Sequence, residues 1–225
     1  MANKILFLDR DGTLVCEPDD RQIDSPAKVR LMPGVIPALL RAKDAGYDFV
    51  IVSNQDGLGT ESFPQESFEN TQEYIRDLFS SQGIEFAAEF FCPHFVTDDC
   101  ACRKPKIGLL RTYLSSIQLD RQHSAVIGDR DTDSSLADNL GLQSFRISSD
   151  GSNDECWERI VHIILDEPRK ASINRSTRET RIEVGVNLDR TGSAVVNTGI
   201  GFFDHMLEQL GKHGGFELTI KCEGD

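Results

Sequence analysis

The chain has 225 residues, of which 39% are hydrophobic and 27% charged, with ordinary glycine and proline usage, a balance that excludes collagen, coiled coil and disorder. Its net charge of −13 argues against a nucleic-acid binder, which needs a basic surface. No apolar run approaches a membrane span, and Asp9 and Asp11 follow the first short apolar run too soon for a signal peptide, so the expectation is a soluble, cytoplasmic protein.

In chain order, Lys4–Leu8 reads as a strand that breaks at Asp9. Gly34–Ala45 reads as a helix stopped by Gly46, and Asp48–Ser53 as a second apolar strand. Gln65–Gln82 places Phe68, Ile75, Leu78 and Phe79 on one helical face, between Pro64 and Gly83. Strands are expected at Phe86–Cys92, Ser124–Gly128 and Gln143–Ile147, with helices near Ile107–Ile117 and Thr132–Leu140. A last helix, Asp154–Asp166, lines up Trp157, Ile160, Val161, Ile164 and Leu165. Strands alternating with helices predict an α/β fold, a Rossmann-like doubly wound parallel sheet with helices on both faces. Ligands bind such a sheet at the carboxyl ends of its strands.

Charge marks a boundary. Residues 1–166 carry a net charge of −12 and residues 167–225 a net charge of −1, with Glu167-Pro168-Arg169-Lys170 at the change and a polar stretch, Ser172–Arg178, that reads as a linker. Two domains are therefore expected, 1–166 and 167–225. The second shows alternation through Ile182, Val184 and Val186 (a β-hairpin), then a short helix carrying His205 and a strand at Phe216–Cys222, an incomplete α+β segment.

The informative residues lie just past the strands of the first domain. Asp9-Arg10-Asp11-Gly12-Thr13 follows the first strand; carboxylates at i and i+2 of an extended chain point to one side, and Gly12 permits the turn away. Asp9 is placed to be a covalent nucleophile toward phosphorus, and Asp11 to protonate the leaving alkoxide and later take a proton from water. Two anions acting on an anionic ester need cations. Lys104 supplies one; Ser53-Asn54-Gln55 offers a hydroxyl and amides to phosphate oxygens. Asp129, with Asp9 and the Asp11 backbone, makes a hard oxygen site suited to Mg²⁺. Singly, Ser53, Lys104 or Asp129 reads more readily as an ordinary loop residue; their joint placement at strand ends points to one site.

These motifs, Asp9-Arg10-Asp11-Gly12-Thr13-Leu14, Ser53, Lys104 and Gly128-Asp129 with Asp133, resemble those of the haloacid-dehalogenase-like phosphatases. The resemblance implies a Mg²⁺-dependent phosphomonoesterase with Asp9 as nucleophile and Asp11 as acid/base. The short stretch between Asp11 and Ser53 leaves little room for a helical cap, so an open site is expected.

Cys92-Pro93-His94 and Cys100-Ala101-Cys102 form a C-x-H-x₅-C-x-C pattern. Three thiolates and an imidazole make a closed set for structural Zn²⁺; the alternative is a group of reduced buried thiols beside a surface histidine. This loop, with Arg10 inside the first motif, Ser53-Asn54-Gln55-Asp56-Gly57 and Cys102-Arg103-Lys104-Pro105-Lys106, resembles the histidinol-phosphate and heptose-bisphosphate phosphatases. That likeness implies that zinc stiffens a loop aiming Lys104, and that Arg103 joins Ser53 and Asn54 in binding substrate.

Residues 175–225, notably Gly199–Leu207 and His213–Phe216, resemble the start of the imidazoleglycerol-phosphate dehydratases. There Glu179 would contact substrate and His205 would help bind Mn²⁺, although the family's histidine-rich metal motif should follow Gly224-Asp225, so an inactive dehydratase segment is expected. A histidinol-phosphatase-like domain followed by such a segment is the arrangement of the bifunctional histidine-biosynthesis enzymes. The combination implies hydrolysis of L-histidinol phosphate, a small phosphorylated metabolite, without nucleic-acid or membrane partners, and an oligomer only with a complete dehydratase domain. The alternatives are a heptose 1,7-bisphosphate phosphatase, a polynucleotide 3′-phosphatase lacking the basic groove it would need, and a non-catalytic module that binds Mg²⁺ or phosphate.

Overall fold

The computed structural model describes residues 2–148, 156–165, 170–188 and 194–224. The chain divides into two units, Met1–Leu165 and Asp166–Asp225.

In the first unit a five-stranded sheet runs in the order β3-β2-β1-β4-β5. Its strands are β1 (Lys4–Leu8), β2 (Tyr47–Asn54), β3 (Phe86–Cys92), β4 (Ala125–Gly128) and β5 (Gln143–Arg146), all parallel. Buried on both faces, such strands read as continuous apolar runs. Period two sends Leu6, Leu8, Phe49, Ile51 and Ile127 to one core and Ile5, Phe7, Val50, Val52 and Val126 to the other. Helices α1 (Val35–Asp44), α2 (Gln65–Ser80) and α5 (Trp157–Leu165) cover the first face. A 3₁₀ turn at Gly108–Leu110, α3 (Arg111–Ser116) and α4 (Asp131–Leu140) cover the second. The helix expected over Ile107–Ile117 is thus split into that 3₁₀ turn and a short α-helix. The expected Asp154–Asp166 helix is present as Trp157–Leu165; residues 154, 155 and 166, like the predicted boundary at 167, lie outside the described residues. Between β1 and β2 there is only a 3₁₀ turn, Pro26–Lys28, and α1, so no cap domain is inserted there.

The strand order switches at β1/β4, where ligand crevices of doubly wound sheets lie. Leu8 is level with Ile127, and Asp9 N donates to the Ile127 carbonyl at 3.0 Å, so the residues that end β1 and β4 emerge side by side.

The second unit is a four-stranded sheet ordered β6-β7-β9-β8, from β6 (Lys170–Ser176), β7 (Thr180–Asn187), β8 (Val195–Asn197) and β9 (Glu217–Gly224), with α6 (Gly201–Gly214) between β8 and β9. The stretch expected as a linker, Ser172–Arg178, is instead largely β6, paired antiparallel with β7 from Lys170↔Asn187 to Ser176↔Arg181. Strand pairing is made by the backbone and does not require apolar side chains; polar, charged edge strands of this kind are common. The short helix carrying His205 runs 14 residues. No helix among the described residues is long and apolar enough to cross a membrane.

Candidate active site

Gly12 and Gly128 let the acidic loops close on one another. Gly12 has φ +75°, and a Cβ there would lie 2.4 Å from Asp129 Oδ2; one on Gly128 would lie 2.2 Å from the Asp133 carboxylate. Asp133 is held at the start of α4, where its Oδ2 accepts the Arg130 N–H at 3.1 Å, an anion at the positive end of a helix dipole. Asp9, Asp129 and Asp133 thereby bring a carboxylate oxygen each within 4.8 Å of one another.

Lys104 reaches this trio from the loop after β3. Its Nζ donates to Asp9 Oδ1 at 2.8 Å and to Asp133 Oδ1 at 2.6 Å, and all three residues are buried. Burial opposes the lysine's charge, but the carboxylates of Asp9 and Asp133 outweigh it and raise its pKa above the ordinary lysine value. Asn54 fixes the lysine's backbone from both sides, its Oδ1 accepting Lys104 N–H at 2.9 Å and its Nδ2 donating to the Lys104 carbonyl at 3.3 Å.

Asp129 is the strained member. Burial and the nearby Asp9 push its pKa up to about 7 against the partial relief of Arg130, and its buried Oδ1 has no hydrogen-bond partner. Burial and Asp9 likewise raise Asp133 despite Lys104. An orphaned carboxylate oxygen within a cluster of like charges fits a hard divalent cation. The Asp11 side chain stands outside that trio. Its Oδ1 accepts from Arg10 Nε at 2.7 Å, and its Oδ2 from Arg10 Nη2 at 3.1 Å and Gln55 Nε2 at 3.0 Å.

A cleft of about 250 Å³ opens over these groups, lined by Asp9, Asp11, Ser53, Asn54 and Lys104. It is also lined by Gln55, which the sequence reading offered to phosphate beside Ser53 and Asn54, and by Glu17, Arg21 and Arg130, which it did not single out. Arg130 had a signal, since it directly follows Gly128-Asp129. Glu17 and Arg21 had none. Arg103 is absent from the lining: its guanidinium pairs with Asp56 and donates to the His94 carbonyl at 2.8 Å.

The second cluster stands in the loop before Lys104. Cys92 Sγ lies 3.6 Å from His94 Nδ1, 3.6 Å from Cys100 Sγ and 3.4 Å from Cys102 Sγ; His94–Cys102 is 3.1 Å and Cys102–Cys100 3.2 Å. Ligands about 2.0–2.3 Å from a tetrahedral centre would be roughly 3.4–3.8 Å apart, so the set fits zinc after slight expansion. Burial pushes the Cys92 thiol up to about 12, which a bound cation would reverse. Cys92, Cys100 and Cys102 carry free thiols, not linked by disulfides.

In the second unit, Glu179 sits exposed between β6 and β7, and His205 on α6. Among the described residues only the two clusters above form metal-ligating groups; His205 belongs to neither, and nothing supports the Mn²⁺ expectation.

The family model described as polynucleotide kinase 3 phosphatase matches residues 4–149. A had-like phosphatase from Mesorhizobium loti superposes with a TM-score of 0.59 at 30% identity, covering 67% of this chain and 74% of that one. The chain belongs to this family of HAD-like phosphatases. The phosphatase fold is also similar to the D,D-heptose 1,7-bisphosphate phosphatase of B. bronchiseptica complexed with magnesium and phosphate (TM-score 0.58, 28% identity, 64% of this chain and 80% of that one). Beyond the phosphatase region, the model described as imidazoleglycerol-phosphate dehydratase matches residues 198–225. Over almost its whole length the chain is similar to the histidine biosynthesis bifunctional protein HisB. It is 52% identical to that of Legionella pneumophila strain Lens, over 99% of this chain and 62% of the relative, and 49% identical to that of Stenotrophomonas maltophilia, over 98% and 62%. The chain therefore spans about 62% of the length of these curated relatives.

Proposed function

We propose that residues 1–166 are a cytoplasmic Mg²⁺-dependent phosphomonoesterase that hydrolyses L-histidinol phosphate to L-histidinol and phosphate, and that residues 167–225 are dehydratase-like. The observation that carries the reading is the buried Asp9–Lys104–Asp133 array beside an orphaned Asp129 oxygen, in a chain similar throughout to HisB proteins.

Asp9 attacks phosphorus through a carboxylate oxygen; the bond to the leaving alkoxide breaks, and Asp11 gives that oxygen a proton. Water then attacks the aspartyl phosphate, Asp11 takes its proton, and Asp9 leaves as carboxylate. Lys104 holds Asp9 in place through its Nζ hydrogen bond and, with the Ser53 hydroxyl, faces the phosphoryl oxygens. Asp9 and Asp129, with the Asp11 backbone, would hold Mg²⁺, which when bound neutralises charge on the phosphoryl group. Cys92, His94, Cys100 and Cys102 would hold Zn²⁺ as a structural clip. The clip reaches the site by short links: Cys100 Sγ accepts Arg103 N–H at 3.3 Å, and the next residue is Lys104.

A second reading, a heptose 1,7-bisphosphate phosphatase, is favoured by the likeness to the B. bronchiseptica enzyme. Phosphate release from the two esters at equal concentration separates them. A higher kcat/KM for histidinol phosphate is expected; a preference for the bisphosphate, or turnover of neither, overturns the assignment.

A further inference from the structure

Arg10 stands between the two reacting carboxylates, yet its side chain is fully buried, which is rare for arginine unless paired. Its guanidinium lies over the Phe68 ring, 5.0 Å from the centroid. One edge forks onto Asp11, Nε to Oδ1 at 2.7 Å and Nη2 to Oδ2 at 3.1 Å. Nη2 also donates to Gln55 Oε1 at 2.9 Å, and Gln55 returns its own amide to Asp11 Oδ2 at 3.0 Å and to Ser53 Oγ at 3.0 Å. On the far side Nη1 lies 3.5 Å from Gln72 Oε1, whose Nε2 donates to Glu89 Oε2 at 3.2 Å.

An ionised carboxylate offers about four lone-pair sites. Arg10 and Gln55 fill both on Oδ2 and one on Oδ1. The remaining site, on Oδ1, is where Asp11 carries a proton without giving up a donor. A planar fork sets the carboxylate's orientation as well as its contacts, which a lysine's single ammonium does not do. The same grip keeps Asp11 out of the Asp9–Asp129–Asp133 trio, where a fourth like charge would compete for the cation.

We infer that Arg10, assisted by Gln55, is a positioning residue that holds Asp11 in register as proton carrier, with Oδ1 as the carrying atom. The inference rests on the phosphatase reading above. The proton leaves Oδ1 for the alkoxide as the P–O bond breaks and Asp9 bonds to phosphorus, and it is recovered from water in the second step.

A leaving group that needs no proton tests it. Arg10→Lys keeps the buried charge and loses the fork; Gln55→Met keeps Arg10 and removes one donor. For each, kcat/KM is measured on L-histidinol phosphate and on p-nitrophenyl phosphate, whose phenolate departs unprotonated, with circular dichroism confirming the fold. For Arg10→Lys a fall of about 100-fold is expected with histidinol phosphate, the scale of general acid catalysis, against a small change with the aryl ester. Gln55→Met should show the same selectivity more weakly, and decides the matter if Arg10→Lys does not fold. Equal losses on both esters, or none on either, overturn the inference while leaving the phosphatase reading intact. A wild-type chain inert toward both esters overturns the phosphatase reading instead.

Discussion

The two units bury their apolar residues to different depths. In Met1–Leu165 every inner strand is covered on both sides, and Ile5, Leu6, Phe7 and Leu8 are wholly buried. In Asp166–Asp225 all of β6 is exposed, and α6 leaves Phe202, Phe203, Met206 and Leu210 at least half exposed. Strand ends gripped from both faces can hold three charged groups at 2.6–2.8 Å, because such an array is tolerable only where the walls cannot give and each charge stays paired. The second unit offers no such frame among its described residues, and Glu179 and His205 stand there without converging partners. The chemistry follows the doubly covered sheet.

The sharpest way to break that contrast is Asp9→Asn, which keeps the shape and removes the nucleophile. Turnover of histidinol phosphate should fall by about 10⁴-fold or more. The melting temperature should stay at or above the wild-type value, since a like charge beside Asp129 and Asp133 is gone. Near-wild-type phosphate release would remove Asp9 from its role.

The zinc clip gives the next largest effect. Elemental analysis should find about one zinc per chain. Cys100→Ser should lose it, and activity should drop about 10- to 100-fold, the range typical of disturbed metal surroundings, without recovery on adding Mg²⁺. A zinc-free wild-type protein with full activity would count against the clip.

How much of this was legible in the sequence depends on the reach of each interaction. Asp9, Asp11 and Asp129 are readable because they directly follow apolar runs, and strand ends are where a parallel sheet gathers its chemistry. The four zinc-type ligands are readable because they lie within one loop. Lys104 was legible as a cation, but not its bridge to Asp9 across 95 positions, since nothing local encodes it. Arg10 was legible as part of its motif but not as a buried group, because Phe68, Gln55 and Gln72, which surround it, lie far along the chain. Ser172–Arg178 misleads: its polarity says linker, but β7 needs only its backbone. The three-residue β8 is too short to leave a periodic trace.

Acidity sharpens the comparison more gently. Asp129 has its pKa raised to about 7 by burial and Asp9 in the metal-free protein, so folding favours its neutral form. Its stabilising contribution is full below about pH 4 and is lost as pH rises through about 7; the shift of Asp133 has the same sign. Without Mg²⁺ the melting temperature should therefore decline across that window, and saturating Mg²⁺ should restore it, increasingly as pH rises. Asp129→Asn should flatten the difference between the two curves. A Mg²⁺ effect independent of pH would contradict the electrostatic origin.

The smallest effect is expected where the second unit is removed altogether. The groups assigned to phosphate chemistry lie between Asp9 and Asp133, and the helices covering the parallel sheet end at Leu165. Deleting residues 168–225 should therefore leave kcat/KM for histidinol phosphate nearly unchanged, and should reduce self-association by removing the exposed β6 edge and the apolar face of α6. A cut placed before Trp157 should behave quite differently. That indole is fully buried, and its Nε1 donates to the Thr13 carbonyl at 2.9 Å, bracing the turn that carries Asp11 and Gly12 from behind. Losing a buried tryptophan costs about 3–5 kcal/mol on its own, and α5 takes Ile160 and Val161 with it. Steady-state kinetics and thermal melts on the two truncations separate the cases. If the cut after residue 167 already abolishes turnover, the catalytic unit extends past α5 and the division drawn between the two units is wrong for function.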